Sequence, residues 1–174
     1  ELRQAGIDRP IVLLGNVLPD EAAAIVRHGL TASISETGLA TAVAAASRQA
    51  GRRSPVFVEV DTGMGRVGVH PAEQALGVIL DIARCPDLEL DGVFCHFPTA
   101  DEPDRAFARG QVARLLALRQ AVAEAGVRVP LWSMANSSAV CDLPESHLDL
   151  VRPGIMVYGY PPGPGCTFAD DLRP

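Results

Sequence analysis

Residues that can bind a ligand or carry a proton are concentrated in four short segments of this chain. The segments are VDTGMGRVG (60–68), HFPTADEPD (96–104), MANSSA (134–139) and LVRPGIMVYG (150–159). They supply a carboxylate, an imidazole, two guanidinium groups and several hydroxyls, a set that can hold an anion and position a proton. Whether these groups form one site depends on the elements that precede each segment.

The first segment raises the question of a nucleotide loop. Residues 63–68 spell G-x-G-x-x-G directly after a strand-like run at 55–60, which is the dinucleotide-binding pattern. Such a loop turns straight into a helix, and an acidic residue follows about 20 positions on, at the end of the next strand. Here the natural helix start is Pro71, and the carboxylates at that distance, Asp81 and Asp87, lie in or just after a helix. The context therefore disfavours a nucleotide loop.

Composition narrows the class of protein. The chain has 174 residues, 48% of them hydrophobic, with a net charge of −6, which is typical of one globular domain. No basic stripe supports nucleic-acid binding, and the apolar runs are too short for a membrane span. The four cysteines lack C-x-x-C or zinc spacing, so we expect reduced thiols in the cytoplasm and no metal. All 15 basic residues are arginine, which excludes Schiff-base lysine chemistry for this chain alone.

Strand and helix patterns alternate along the chain. We predict strands at 11–14, 30–34, 56–60, 90–96, 130–135 and 151–158, and helices at 19–27, 36–49, 71–84, 104–124 and 137–143. This α/β series predicts a parallel sheet, either doubly wound or most of a (β/α)8 barrel. Polar residues at the carboxyl ends of several strands favour the barrel, because a barrel builds its site there. Six strands do not close an eight-stranded barrel, so we expect an incomplete one.

Together, the four segments resemble alanine racemase, a pyridoxal 5'-phosphate (PLP) enzyme with an N-terminal barrel. They match that family's patterns in order and at compatible spacing, and the resemblance covers essentially the whole chain. It implies that residues 1–174 are a partial PLP-binding barrel domain, with about six βα units that correspond to strands 3 to 8 of a TIM-type barrel. It also implies that the C-terminal β domain is absent.

The implied activity is the PLP-dependent interconversion of L- and D-alanine, which supplies D-alanine for peptidoglycan. The parent enzyme would be a cytoplasmic homodimer that acts on a small amino acid. Two alternatives stay open: a PLP-dependent racemase of broader specificity, and a non-catalytic PLP-binding barrel protein. An amino-acid decarboxylase is disfavoured, because decarboxylases usually place a carboxylate, not an arginine, at the ring nitrogen of the cofactor.

The resemblance also implies residue roles. Arg66 would hydrogen-bond the phenolic oxygen of the cofactor and help to hold the substrate carboxylate. Arg152 would face the pyridine nitrogen and, because it keeps its proton, leave that nitrogen unprotonated. His96 would lie close to the ring and orient a catalytic tyrosine.

The implied phosphate site lies where the third and fourth segments meet. Ser137, with the backbone N–H groups of Gly154 and Ile155, would hold the cofactor phosphate, and Asn136 would lie beside them. Asparagine and serine are also preferred N-cap residues. The same segment can therefore start a helix and bind an anion.

The sequence departs from the family at functionally important positions. Glu59 stands two residues before Asp61, where the family commonly has a lysine that is often carbamylated; we hypothesise that Glu59 braces Arg66 directly or through water. Ser133 stands where many relatives have a histidine that supports the pyridine-facing arginine. The Schiff-base lysine is missing, and Tyr158 and Tyr160 lie in the wrong motif for the catalytic tyrosine. We therefore expect residues 1–174 alone to be inactive.

Overall fold

The computed structural model describes residues 1–70, 72–163, 166, 172 and 173. Five parallel strands form one sheet in chain order, each paired with the next. They are β1 Val12–Leu13, β2 Thr31–Ile34, β3 Ser54–Glu59, β4 Leu88–Phe94 and β5 Leu131–Ser133. Five helices accompany them: α1 Ala22–His28, α2 Thr37–Gln49, α3 Ala75–Arg84, α4 Ala106–Glu124 and α5 Ser137–Asp142.

The strand order decides between the two predicted architectures. A doubly wound sheet reverses its order at a switch point, whereas barrel strands follow one another around the sheet. Here the order is β1-β2-β3-β4-β5 without reversal. The incomplete barrel is thus confirmed as a half-barrel, and the doubly wound alternative is wrong.

The predicted sixth strand, 151–158, is wrong. A single bridge between Ser133 and Leu150 extends the sheet, and the N–H group of Arg152 donates to Ala135 O at 2.9 Å. Pro153 then offers no N–H group, and the chain turns into a short 3-10 helix, Ile155–Tyr158. The apolar run that resembled a strand is therefore a turn that follows one bridge.

The helix predictions are confirmed within a few residues. The largest shift is at α3, which begins at Ala75 after a 3-10 turn, Ala72–Gln74. Pro71, the predicted start of that helix, lies outside the described residues. None of the helices described is both long enough and apolar enough to cross a membrane.

The core lies between the sheet and the helices. Alternate residues of β3 face this layer, as Val56 and Val58 do, and both are fully buried. Phe57 and Glu59 therefore lie on the opposite, barrel-interior face. The Phe57 ring packs near Phe94, with 6.3 Å between ring centroids. A Cβ at Gly92 would lie 2.8 Å from the Phe57 ring, so the interior face needs a glycine there.

Candidate active site

The carboxyl ends of three strands bring the predicted site residues to one edge of the half-barrel. The register places Glu59 beside Phe94 and Phe94 beside Ser133. Each of these residues is followed directly by a loop that carries polar groups. The chain then returns alongside β5 and carries Arg152 to the same edge.

Arg152 is held on several sides. One terminal nitrogen donates to Ser133 Oγ, and the other donates to Cys95 O at 2.7 Å and contacts Met134 O at 3.4 Å. The guanidinium carbon lies 4.8 Å from the centroid of the Phe94 ring. Burial lowers the pKa of Arg152 from its ordinary value, and nearby Glu59 opposes that shift. Nε has no hydrogen-bond partner among the described residues.

His96 lies beside this guanidinium, with Nδ1 3.5 Å from a terminal nitrogen of Arg152. Since a guanidinium only donates, Nδ1 is the acceptor and Nε2 carries the imidazole proton. Burial, followed by Arg152 and Arg66, lowers the pKa of His96 to about 4. His96 is therefore a neutral donor near pH 7.

Asp61 organises the loop that carries Arg66. Its carboxylate accepts the N–H groups of Gly63 at 2.9 Å, Met64 at 2.7 Å and Gly65 at 3.0 Å. Burial raises the pKa of Asp61, but these three hydrogen bonds, together with His70 at 3.8 Å, outweigh it, so the net pKa is below the ordinary value. The N–H groups that would cradle a nucleotide phosphate are thus already used within the chain, which argues further against a nucleotide loop.

Glycine is required at three positions of this loop. A Cβ at Gly68, where φ is +122°, would lie 2.7 Å from the backbone nitrogen of Asp61. Gly63 and Gly65 have φ of +132° and +71°, in the region that side chains rarely adopt. Arg66 follows them on the surface, and it makes no hydrogen bond or ion pair within the described ranges. The loop is therefore fixed at Asp61, while the arginine that it carries remains unpartnered there.

Glu59 is a buried carboxylate that has no hydrogen-bond donor within the described part of the chain. Glu59 is 4% exposed, and its Oε2 atom is buried with no hydrogen-bond partner among the described residues. Desolvation raises the pKa of Glu59, although Arg152 and Arg66 both act to lower it. No ion pair within 4.0 Å joins Glu59 to Arg66 in the described part of the chain. In this structure, therefore, no direct ion pair supports the hypothesis that Glu59 braces Arg66.

The predicted helix start at Asn136 is confirmed. Asn136 Oδ1 accepts the N–H group of Ala139 at 3.1 Å and caps α5. Ser137, the first helical residue, accepts the N–H group of Gly154 on its hydroxyl oxygen at 2.8 Å. Ile155 follows Gly154 as the first residue of the exposed 3-10 turn. The structure therefore brings Ser137 and Gly154 into contact, with Asn136 and Ile155 next to them.

The chain matches the family described as "Alanine racemase, N-terminal domain" over residues 1–162. It belongs to this family. It is 40% identical to the alanine racemase of Desulforamulus reducens over 162 residues, which cover 93% of this chain and 44% of that protein. It is 42% identical to the alanine racemase of Symbiobacterium thermophilum over 174 residues, covering 99% and 46%.

Solved structures agree with this assignment. Alanine racemase from Clostridium difficile 630, in complex with cycloserine, superposes with a TM-score of 0.93 at 30% identity and covers 99% of this chain and 47% of that one. Alanine racemase from D-cycloserine-producing Streptomyces lavendulae gives a TM-score of 0.88 at 34% identity, covering 99% and 46%. The chain thus spans a little under half the length of these alanine racemases.

Within this alanine racemase-family half-barrel, helix α4 supports the candidate site through residues that the sequence analysis missed. Gln111 Nε2 donates to Thr62 Oγ1 at 3.1 Å and to His96 O at 3.2 Å, and Arg114 donates to Thr62 O at 2.6 Å. The fully buried Gln111 lies among the apolar residues of α4. A glutamine on the apolar face of a predicted helix was the signal available.

Proposed function

We propose that this chain is the PLP-binding half-barrel of an enzyme that interconverts L- and D-alanine. One observation carries the proposal: the terminal nitrogens of Arg152 are held by hydrogen bonds at the strand ends, and the guanidinium lies beside a neutral His96. Membership of the alanine racemase family supports it. When bound, PLP supplies an electron sink that makes the Cα proton of an amino acid acidic.

The residues present fit the cofactor. Arg152 would hold the pyridine nitrogen, and Ser137 with the N–H groups of Gly154 and Ile155 would hold the phosphate. The structure brings the two groups together, since the Gly154 N–H group donates to Ser137 Oγ at 2.8 Å. A bound phosphate would replace Ser137 as the acceptor of this N–H group and would accept from the Ser137 hydroxyl. Asn136 fixes the start of α5 and hence the position of Ser137.

Arg152 also bears on which reaction the site favours. A guanidinium retains its proton at neutral pH, so Arg152 would donate to the ring nitrogen and leave that atom unprotonated. An unprotonated ring withdraws electrons less strongly, which suits return of the Cα proton over competing carbanion chemistry. A carboxylate at this position would have the opposite effect.

Arg66 and Glu59 would act as a pair on the other side of the site. Arg66 would hold the phenolic oxygen of the cofactor and the carboxylate of the substrate. We propose that Glu59 orients Arg66 through water, because no described residue donates to its buried Oε2 and Arg66 acts to lower its pKa. Asp61 would hold the loop that presents Arg66. His96 would donate through Nε2–H to a catalytic tyrosine.

The remaining parts of the function concern the parent protein. Residues 1–174 contain no lysine, so the Schiff-base lysine must be supplied from outside this chain. We propose the same for the tyrosine on the opposite face, because Tyr158 and Tyr160 lie in the wrong motif for that role. We propose a cytoplasmic homodimeric parent with a C-terminal β domain. Its substrate would be alanine and its product would enter peptidoglycan.

Titration of the 174-residue chain with PLP tests the binding part of this proposal. We expect saturable binding, seen as a change in PLP absorbance and in the ³¹P resonance. Arg152→Met and Ser137→Ala should weaken binding, and the matched surface variant Arg128→Met should not. Failure of the folded chain, verified by circular dichroism, to bind PLP saturably would refute the proposed site.

An activity assay tests the division of labour. The 174-residue chain incubated with PLP and L-alanine should produce no D-alanine above the rate of PLP alone, because neither proton carrier is present. Chiral chromatography of the amino acid measures this directly. Enzymatic racemisation by this chain alone would contradict the expected need for lysine from outside it.

A further inference from the structure

Among the described residues, side-chain contacts at three positions of helix α5 join it to the chain that follows Arg152. They lie in order along the helix and are Gly154 N–H to Ser137 Oγ at 2.8 Å, Ser138 Oγ to Pro162 O at 3.5 Å, and Cys141 Sγ to Cys166 Sγ at 2.9 Å. The first is an ordinary hydrogen bond between neutral groups, and the second is a long, weak one. The third joins two cysteines that are 25 residues apart.

The sulfur contact is close enough to precede a bond. At 2.9 Å, the two Sγ atoms are less than about 1 Å farther apart than in a disulfide, where the S–S length is about 2.05 Å. Cys141 lies on α5 and is 8% exposed, whereas Cys166 is partly exposed. A dissolved oxidant can thus reach one sulfur of the pair.

We propose that Cys141 and Cys166 form a reversible disulfide that locks the chain after Arg152 onto helix α5. The other two cysteines lack this arrangement. Cys95 is fully buried at the end of β4, and Cys85 follows the last residue of α3. The Sγ–Sγ contact therefore distinguishes Cys141 and Cys166 from the other two cysteines.

The reaction needs a low-molecular-weight disulfide, such as oxidised glutathione, as the oxidant. The Cys166 thiolate attacks one sulfur of the reagent, which forms a mixed disulfide and releases the first small thiol. The Cys141 thiolate then attacks Cys166 Sγ, forms the protein disulfide and releases the second small thiol. The protein loses two protons and two electrons, and the reagent is reduced to two thiols.

The bond would enclose a functionally important part of the chain. The covalent ring runs from Cys141 to Cys166 and so includes Arg152 and Gly154. In the reduced protein, two hydrogen bonds and the sulfur contact hold the chain after Arg152 to α5. In the oxidised protein, the disulfide would keep Cys166 bonded to α5, so this part of the chain could not separate from the helix. Burial raises the pKa of Cys141 to about 12, so the ring-closing step should accelerate as the pH rises.

Peptide mapping of the oxidised chain tests the proposal directly. Trypsin leaves both cysteines in one peptide, because Arg152 and Arg173 each precede proline, but cleavage at Glu145 by Glu-C separates them. After treatment with oxidised glutathione, we expect the two fragments to remain joined and to separate on reduction with dithiothreitol. In the folded chain, the cross-link should form more than about tenfold faster than in urea, because the folded contact replaces a search by the loop.

Two matched variants provide the control. Cys166→Ser and Cys85→Ser each remove one partly exposed cysteine, and only Cys166→Ser should abolish the cross-link. The wild-type mapping requires no variant, so a variant that fails to fold leaves the test intact. The proposal is overturned if the folded wild-type chain gives separate fragments, a lasting glutathione adduct at Cys166, or a cross-link from Cys166 to Cys85 or Cys95.

Discussion

The two arginines assigned to the cofactor lie in regions of opposite character. Arg152 lies at the end of β5, where a hydroxyl, backbone carbonyl groups and the Phe94 ring surround its guanidinium. Arg66 lies on an exposed glycine loop and has no hydrogen-bond partner among the described residues. We call the first region the Arg152 corner and the second the Arg66 loop.

The difference shows how one site can combine a preset group with an adaptable one. The Arg152 corner is built from the sheet, and its guanidinium is oriented before any ligand arrives. The Arg66 loop is fixed at its base by Asp61, which accepts three backbone N–H groups, and by the contacts of Gln111 and Arg114 with Thr62. The Arg66 side chain has no hydrogen-bond partner among the described residues. Glu59, at the end of β3, is linked electrostatically to both regions, because Arg152 and Arg66 each act to lower its pKa.

The largest expected effect separates the two arginines by stability. Arg152→Met leaves Ser133 and the Cys95 carbonyl without a charged donor, so we expect the free energy of unfolding to fall by about 3 kcal/mol. Arg66→Met removes no hydrogen bond within the described residues, and its effect should stay within about 0.5 kcal/mol. Urea denaturation followed by circular dichroism measures both. Equal losses for the two variants would abolish the distinction between the regions.

The sequence predicted the half-barrel well because its signals are local. Each strand is a short apolar run, and each helix has its own pattern, so element order and parallel pairing follow from the chain itself. The turn at 155–158 was misassigned as strand because its residues are apolar and β-prone, whereas Pro153 and the single bridge at Leu150 decide the conformation. In that segment the tertiary position overrides propensity.

The candidate site was less predictable, because its geometry depends on contacts across the sheet. The motifs identified Arg152 and His96, but the Phe94 ring beneath the guanidinium follows from strand register. The buried Gln111, which joins α4 to Thr62 and to His96 O, is distant in sequence from both. Such links between loops require three-dimensional packing and lie beyond a motif.

The second prediction concerns the anchor of the Arg66 loop. Asp61→Ala leaves three backbone N–H groups without their acceptor, so we expect a loss of about 2 kcal/mol in the free energy of unfolding, while Asp61→Asn, which keeps one oxygen, should lose about half as much. The pKa of Asp61 is lowered in the folded protein, so its stabilisation is present above the ordinary aspartate pKa and is lost as the pH falls through the lowered value. Urea titrations from pH 7 to pH 2 measure this trend. A difference from wild type that grows on acidification would be inconsistent with it.

The third prediction has the opposite sign and tests the carboxylate linked electrostatically to both regions. Glu59→Gln removes a buried charge to which no described residue donates a hydrogen bond, so the variant should be more stable than the wild type at pH 7 by about 0.5–2 kcal/mol. Because the pKa of Glu59 is raised on folding, the wild type loses stability as the pH rises from below the ordinary glutamate pKa through the raised value. The advantage of Glu59→Gln should therefore vanish in acid.

A matched measurement separates this stability effect from a role in binding. If Glu59 orients Arg66 through water, Glu59→Gln should weaken PLP binding although it stabilises the fold, and a Glu59→Gln, Arg66→Met double variant should bind no more weakly than Arg66→Met. Unchanged PLP affinity in Glu59→Gln would refute the proposal that Glu59 orients Arg66. Loss of stability at pH 7 would contradict the unpaired state of the buried carboxylate.

The smallest expected effect uses His96 as a sensor of both regions. Burial is the main cause that lowers the pKa of His96 to about 4, followed by Arg152 and then Arg66. Arg66→Met should therefore raise this pKa only slightly, well short of the ordinary histidine value of about 6.5. The Cε1–H resonance of His96, assigned with a His96→Gln variant, reports the titration by NMR. If Arg66→Met returned the pKa of His96 to the ordinary value, Arg66 would affect the charge state of His96 more strongly than burial and Arg152 do. The Arg66 loop, not the Arg152 corner, would then dominate the electrostatics around His96.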